Sequence, residues 1–248
     1  LVYDTLLAET ITLPGHDGDQ IEAYTARPLD PGPRGGVVVI HHMPGYDWST
    51  KEIVRRFAFN GYNAICPNLH YREAPGASSD DAAAANRAAG GVPDERLVGD
   101  VAASMAWLKG LTSANGKVGT IGYCSGGRQS FLSACTLPVD AAVVCYGAFI
   151  VGSAPEGLGV KMGPIIDLAD GISCPILGLF GAEDTHPSPA DVAEIDARLT
   201  ALGKPHDFHS FEEAGHSFFS VDRPAYRVKA ANAGWELIWD FYARLLAA

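Results

Sequence analysis

The sequence predicts one α/β domain: a mostly parallel, doubly wound sheet of about eight strands with helices on both faces. Three observations lead there. Short β-branched runs, of which Val37-Val38-Val39-Ile40 is the clearest, read as strands buried on both faces. Between these runs apolar residues recur at helical spacing, and strand–helix alternation is the pattern of a parallel sheet. The 248 residues suffice for one sizeable core, and no internal repeat or interdomain linker divides them.

The elements follow in order. Thr10-Ile11-Thr12-Leu13 and Ile21-Glu22-Ala23-Tyr24-Thr25-Ala26 alternate at period two around Pro14-Gly15-His16-Asp17-Gly18-Asp19, which predicts an antiparallel hairpin at a sheet edge. The Val37–Ile40 strand ends at His41-His42-Met43-Pro44-Gly45. Ile53, Val54, Phe57 and Ala58 mark a helix from Thr50 to Asn60, closed by Gly61. Tyr62 to Cys66 is another short strand. Residues 70–93 read as an excursion over the sheet edge that holds one short helix. Asp94 is the expected cap of a helix whose apolar face is Leu97, Val98, Val101, Met105 and Leu108.

Lys117 to Tyr123 forms the next strand and Gln129 onward the helix after it. Ala141–Tyr146 and Pro175–Phe180 are further buried strands. The Gly- and Pro-rich residues 147–164 between them are a candidate active-site lid. Ser188-Pro189 opens a helix that runs to about Leu202, with serine as cap and proline at the first helical position. Phe208 to Phe211 is the last strand. A final helix carries Trp235, Ile238, Trp239, Tyr242, Leu245 and Leu246 on one stripe.

Composition narrows the function. Eighteen basic residues against 29 acidic ones give a net charge of −11, which argues against nucleic acid or an anionic membrane as partner. No apolar run approaches the ~18 residues of a membrane span. Five scattered cysteines without a C-x-x-C pair suit a reducing compartment and a catalytic thiol better than a disulfide framework. The first thirty residues show no signal peptide, so the expected location is the cytoplasm.

The chain is organised around Gly122-Tyr123-Cys124-Ser125-Gly126. This G-x-C-x-G stretch between a strand and a helix has the form of a nucleophile elbow with cysteine as the nucleophile. Glycine on either side is needed where the strained turn leaves no room for a Cβ. The following helix aims its free N–H groups at Cys124 and favours thiolate. Cys66, Cys135, Cys145 and Cys174 read as structural.

A cysteine nucleophile requires a base, and the base an orienting acceptor. Asp184 follows the Pro175–Phe180 strand and His216 follows the last one. The order Cys124, Asp184, His216 is the nucleophile–acid–histidine order of the α/β-hydrolase fold. Glu183 and Asp191 compete for the acid role; Glu183 sits nearer the strand and Asp191 fits a helix cap, so Asp184 is preferred. The oxyanion hole is expected from the backbone N–H groups of Ser125 and Met43.

With these residues assembled, the chain resembles the dienelactone hydrolase family, a cysteine branch of the α/β-hydrolase superfamily. The matching stretches are Gly122-Tyr123-Cys124-Ser125-Gly126-Gly127, Gly181-Ala182-Glu183-Asp184 and Gly215-His216-Ser217-Phe218. Tyr71-Arg72-Glu73-Ala74-Pro75-Gly76 looks like the family stretch in which an arginine holds the substrate carboxylate, which implies that role for Arg72. Two departures stand out. His42 occupies the place of a family glutamate that contacts the resting thiol. Phe219-Ser220 stands where a second carboxylate-binding arginine is expected.

The resemblance implies a carboxymethylenebutenolidase-type hydrolase of small-molecule esters or lactones, with no cofactor and with His42, Arg72, Tyr71 and Tyr123 about the substrate. The departures point to less anionic lactones or short, partly aromatic esters. Two other classes compete with this reading. Metal-dependent chemistry is invited by His41, His42, His70, His186, His206, His209 and His216, but none forms a helical i, i+4 pair with a carboxylate. A hydrolase-like protein that only binds is the other, since fold alone does not imply function.

Overall fold

The computed structural model describes residues 5–247. Eight strands form one sheet: β1 (Leu6–Pro14), β2 (Gln20–Pro28), β3 (Arg34–Ile40), β4 (Asn63–Pro67), β5 (Ala114–Tyr123), β6 (Ala141–Cys145), β7 (Ile176–Gly181) and β8 (His206–Phe211). Their order across the sheet is β1-β2-β4-β3-β5-β6-β7-β8. β1 pairs with β2, and β2 with β4, antiparallel; every other pairing is parallel. The edge hairpin and the parallel remainder are those the sequence predicts.

The helices are α1 (Trp48–Phe59), α2 (Ser79–Ala88), α3 (Asp94–Lys109), α4 (Ser125–Thr136), α5 (Pro189–Ala201) and α6 (Val228–Leu246). Successive residues of β3 divide between two cores. Val38 and Ile40 belong to the core that holds side chains of α3, α4 and α5, whereas Val37 and Val39 belong to the one that holds those of α1 and α6. A strand sealed on both faces has no polar side of its own, which is why the run reads as continuous rather than alternating. On α6, Trp235, Ile238, Tyr242 and Leu246 are buried, and the Tyr242 hydroxyl donates to the Thr120 carbonyl of β5 at 2.7 Å. Each such apolar side chain contributes on the order of 1.5–3 kcal/mol.

Several boundaries differ from the expectation; β3 begins at Arg34 and α4 already at Ser125. α1 begins at Trp48 because Asp47 caps it, its carboxylate accepting the Thr50 N–H. Asp94 is not a cap: Pro93 holds that position, and Asp94 is the first helical residue of α3, its carboxylate turned to Arg128. β6 ends one residue early, since Tyr146 takes a positive φ of 37°. β8 starts two residues early, at His206. Residues 70–93 do hold one helix, α2, and Ser188 with Asp191 forms the capping box of α5.

The stretch 147–164 is a loop with one 3-10 turn at Glu156–Leu158. Ile165 N–H donates to the Ile150 carbonyl at 2.9 Å, closing its base, and Lys161 N–H donates to Gly90 beyond α2 at 2.8 Å. Arg128 of α4 reaches into it and donates to the carbonyls of Phe149 and Gly163. No helix of the described residues is long and apolar enough to cross a membrane.

Candidate active site

β5 delivers Cys124 to the carboxyl edge of the sheet, where α4 begins at once. Cys124 takes φ 59° and ψ −121°, the strained turn of an elbow. The glycines around it are dictated by contact. A Cβ on Gly122 would overlap the Gly126 carbonyl oxygen, and one on Gly126 would overlap that of Ile40 at the end of β3. A Cβ on Gly127 would stand 2.6 Å from the Cys145 oxygen. Cys124 itself is partly buried and free, and the other four cysteines are buried and free.

The loops after β7 and β8 bring the partners. His216 Nδ1–H donates to Asp184 Oδ2 at 2.9 Å, and His186 N–H donates to Asp184 Oδ1 at 2.9 Å. Asp184 is 4% exposed, so its carboxylate is held away from water by two donors. Cys124 lies near enough to the imidazole to act on its charge. Burial pulls the His216 pKa down, but Asp184 and Cys124 together outweigh this and push it up to about 10. The Tyr146 ring stands edge-on to His216 at 5.1 Å between centroids and walls the pair from one side. Of the three candidate acids only Asp184 meets His216: Glu183 is exposed, and Asp191 accepts from Ser188 N–H.

Met43 follows β3 by three residues, and Ser125 follows the nucleophile directly. Ser125 opens α4, where an N–H has no partner within the helix. Met43 lies in the turn that Gly45 N–H closes onto the His42 carbonyl at 2.9 Å. Neither N–H donates to another backbone group among the described residues.

The expected substrate residues divide. His42 and Tyr123 line a narrow cleft of about 20 Å3 together with Arg56, Tyr146, Phe219 and Trp235. It adjoins the triad through Tyr123, the neighbour of Cys124, and Tyr146, the neighbour of His216. Arg72 is not brought there. Its guanidinium holds Asp100 through two bonds of 2.8 and 2.9 Å and Asp19 at 2.9 Å, tying the edge hairpin to α3. Asp100 is fully buried, so losing Arg72 would strand its charge. The carboxylate-holding role implied for Arg72 does not fit this geometry. Tyr71 packs against the α3–α4 core, on the opposite face of the sheet from Tyr123.

Other histidines have structural partners. His41 donates from Nδ1 to the His42 carbonyl at 2.8 Å and accepts the Leu69 N–H at Nε2. Burial lowers its pKa to about 4. Among the described residues no three His, Cys, Asp or Glu side chains converge as a metal-binding group.

Sequence reasoning missed Asp47, Arg56, Tyr146 and Arg128. Asp47 could have been found as a capping residue just before α1. Arg128 is signalled by a charge at an otherwise apolar position of α4. Arg56 and Tyr146 carried no local signal, since tertiary packing alone brings them to the cleft.

Three comparisons place this geometry among known proteins. The profile of the "Dienelactone hydrolase family" matches residues 21–246. A "Putative carboxymethylenebutenolidase" of Methylorubrum extorquens is 32% identical over 96% of this chain and 81% of its own length. The "Carboxymethylenebutenolidase" of Pseudomonas putida is 30% identical over 97% of this chain and 98% of its own. The crystal structure of "Putative Dienelactone Hydrolase" from Klebsiella pneumoniae superposes with a TM-score of 0.86 at 25% identity, over 97% of this chain and 100% of that one.

Proposed function

The chain belongs to the dienelactone hydrolase family, and on that premise we propose that it hydrolyses carboxylic esters or lactones through Cys124, His216 and Asp184. The observation that carries this reading is His216, bonded to Asp184 and raised in pKa by Cys124 as well as by that carboxylate.

The Cys124 sulfur, as thiolate, attacks the acyl carbon, and the carbonyl pair moves onto oxygen. The N–H groups of Met43 and Ser125 stabilise that charge. The C–O bond of the ester or lactone breaks as His216 gives its proton to the leaving oxygen. Water then yields a proton to His216 and attacks the thioester. The C–S bond breaks, returning the thiolate and releasing the acid. Asp184 keeps Nδ1 protonated so that Nε2 faces the reaction.

The substrate is a small ester or lactone of low negative charge. With Arg72 spent on Asp100 and Asp19, and with Arg56 bonded to Glu52 at 3.0 Å, the cleft has no uncommitted cation for a second carboxylate. Its aromatic walls suit an apolar or partly aromatic group. The five free thiols suit a reducing compartment such as the cytoplasm.

Cys124→Ala is expected to lower ester hydrolysis by roughly three orders of magnitude or more while the circular dichroism spectrum stays unchanged. Cys124→Ser should keep a trace, because a hydroxyl needs stronger base assistance than a thiol. Undiminished hydrolysis in the alanine variant would overturn the assignment.

A further inference from the structure

His41 has no place in the triad, yet both nitrogens of its ring are engaged by backbone. Nδ1 meets the His42 carbonyl at 2.8 Å, and Leu69 N–H donates to Nε2 at 3.2 Å. A carbonyl only accepts and an amide N–H only donates. The two partners together therefore fix the tautomer: Nδ1 carries the proton and Nε2 the lone pair. Burial brings the pKa of the ring down to about 4, so this neutral form is the resident one near neutrality. The ring is 2% exposed and stands edge-on to His70 of the loop after β4, with 4.7 Å between centroids.

Those two bonds fasten a short turn. The His42 carbonyl that His41 holds also accepts Gly45 N–H at 2.9 Å, which closes His42-Met43-Pro44-Gly45 into a turn with Met43 and Pro44 at its tip. Leu69, at the far end of the ring, lies just beyond β4, so His41 joins the exits of two paired strands. The same backbone is seated on the elbow. A Cβ on Gly126, two residues past Cys124, would meet the His41 carbonyl oxygen at 2.8 Å as well as the oxygen of Ile40. The side chain of His42 is engaged elsewhere, its Nε2 2.7 Å from Asp47 Oδ2. The Met43 N–H thus belongs to a turn whose base rests on α4 and whose carbonyl is held by the His41 ring. Without that ring, a buried amide at Leu69 loses its acceptor and the turn loses one of its two ties.

We propose that His41 is a positioning residue for the reaction: it fixes the turn that carries the Met43 N–H, and so sets one of the two donors that the acyl oxyanion meets. The proposal rests on the hydrolase reading above, in which that N–H is an oxyanion donor. His41 itself meets no substrate and acts only through the turn.

The test sets ester turnover against a reaction of Cys124 that forms no oxyanion. Iodoacetamide alkylates the sulfur by displacing iodide at a methylene carbon, so no carbonyl oxygen gains charge. In His41→Leu, kcat/KM for 4-nitrophenyl butanoate should fall about tenfold to a hundredfold. The alkylation rate should stay within about twofold of wild type, because that reaction draws nothing from the oxyanion donors. A general collapse of the site would slow both. His41→Asn keeps an amide N–H near the place of Nδ1, and His41→Gln keeps an acceptor near that of Nε2. His41→Asn should recover most of the ester rate and His41→Gln should not, a contrast that decides the matter if His41→Leu does not fold. A further readout needs no turnover. Amide exchange at Gly45, followed by NMR, should be about tenfold faster in His41→Gln than in wild type, while amides of β7 keep their rates. If wild type hydrolyses no ester, the hydrolase reading falls, and exchange at Gly45 still judges whether His41 holds the turn. An unchanged ester rate in His41→Leu, an alkylation rate that falls as far as the ester rate, equal ester rates in His41→Asn and His41→Gln, or unchanged exchange at Gly45 would each overturn the proposal.

Discussion

At Cys124 the backbone sits at φ 59°, a region a side-chain-bearing residue occupies at a cost of roughly 1–3 kcal/mol. The surroundings hold it there. Its N–H donates to the Cys145 carbonyl at 3.1 Å, and its own carbonyl accepts the Gly127 N–H at 2.9 Å. Gly122 and Gly126 let the backbones of β3, β5 and α4 approach more closely than any Cβ permits. Together these contacts aim the sulfur outward at the start of α4, where helical N–H groups favour its charge. The second histidine, His42, is set by the same logic one strand away. A single capping residue, Asp47, both starts α1 and fixes the imidazole.

At the scale of elements, Arg128 ties the nucleophile helix to the loop after β6. It is 1% exposed, forms a fork of 2.7 and 2.9 Å with Asp94 at the start of α3, and donates to the carbonyls of Phe149 and Gly163. The loop 147–164 is therefore pinned near both ends to α4. Arg128→Met should cost about 2–4 kcal/mol, below the full penalty for breaking a buried pair because Asp94 stays partly in water. Amide exchange across 150–163 should accelerate in the variant, and Arg128→Lys should not restore protection, since an ammonium cannot reproduce the fork. Urea titration and exchange mass spectrometry read the two effects. Unchanged protection of the loop would mean that something other than Arg128 holds it.

At the scale of the whole molecule, two buried histidines set the acid side of the stability profile. Burial lowers His41 to about 4 and His70 to about 2, both well below the ordinary 6.5. From about pH 6.5 downward the unfolded chain binds protons that the folded chain refuses, so stability falls as pH falls. Each histidine contributes a slope of up to about 1.4 kcal/mol per pH unit. His216 acts with the opposite sign: its raised pKa adds stability that is complete below about 6.5 and is lost as pH climbs toward 10. Urea midpoints should therefore drop between about pH 6 and about pH 5, and His70→Leu should lessen the slope. A flat profile over that interval would show that both histidines are protonated in the folded protein.

The extent to which the sequence is legible follows from how local each signal is. Strands sealed on both faces announce themselves by β-branched runs, and the elbow by glycines that nothing but close approach demands. The order of Cys124, Asp184 and His216 is likewise linear information. Arg72 misleads because its place in the chain says nothing of Asp100, 28 residues away, to which it is bound. The cleft is illegible for the same reason. Its walls come from α1, β5, the end of β6 and the segment before α6, and only folding brings them together.

The account turns on one contact, that of the Cys124 sulfur with the imidazole that Asp184 holds. The rate of Cys124 alkylation by iodoacetamide near neutral pH, followed by mass spectrometry in wild type and in His216→Ala, tests it most directly. Wild type should react about tenfold faster or more, because His216 retains its proton beside the sulfur and favours thiolate. Equal rates in the two proteins would contradict the account.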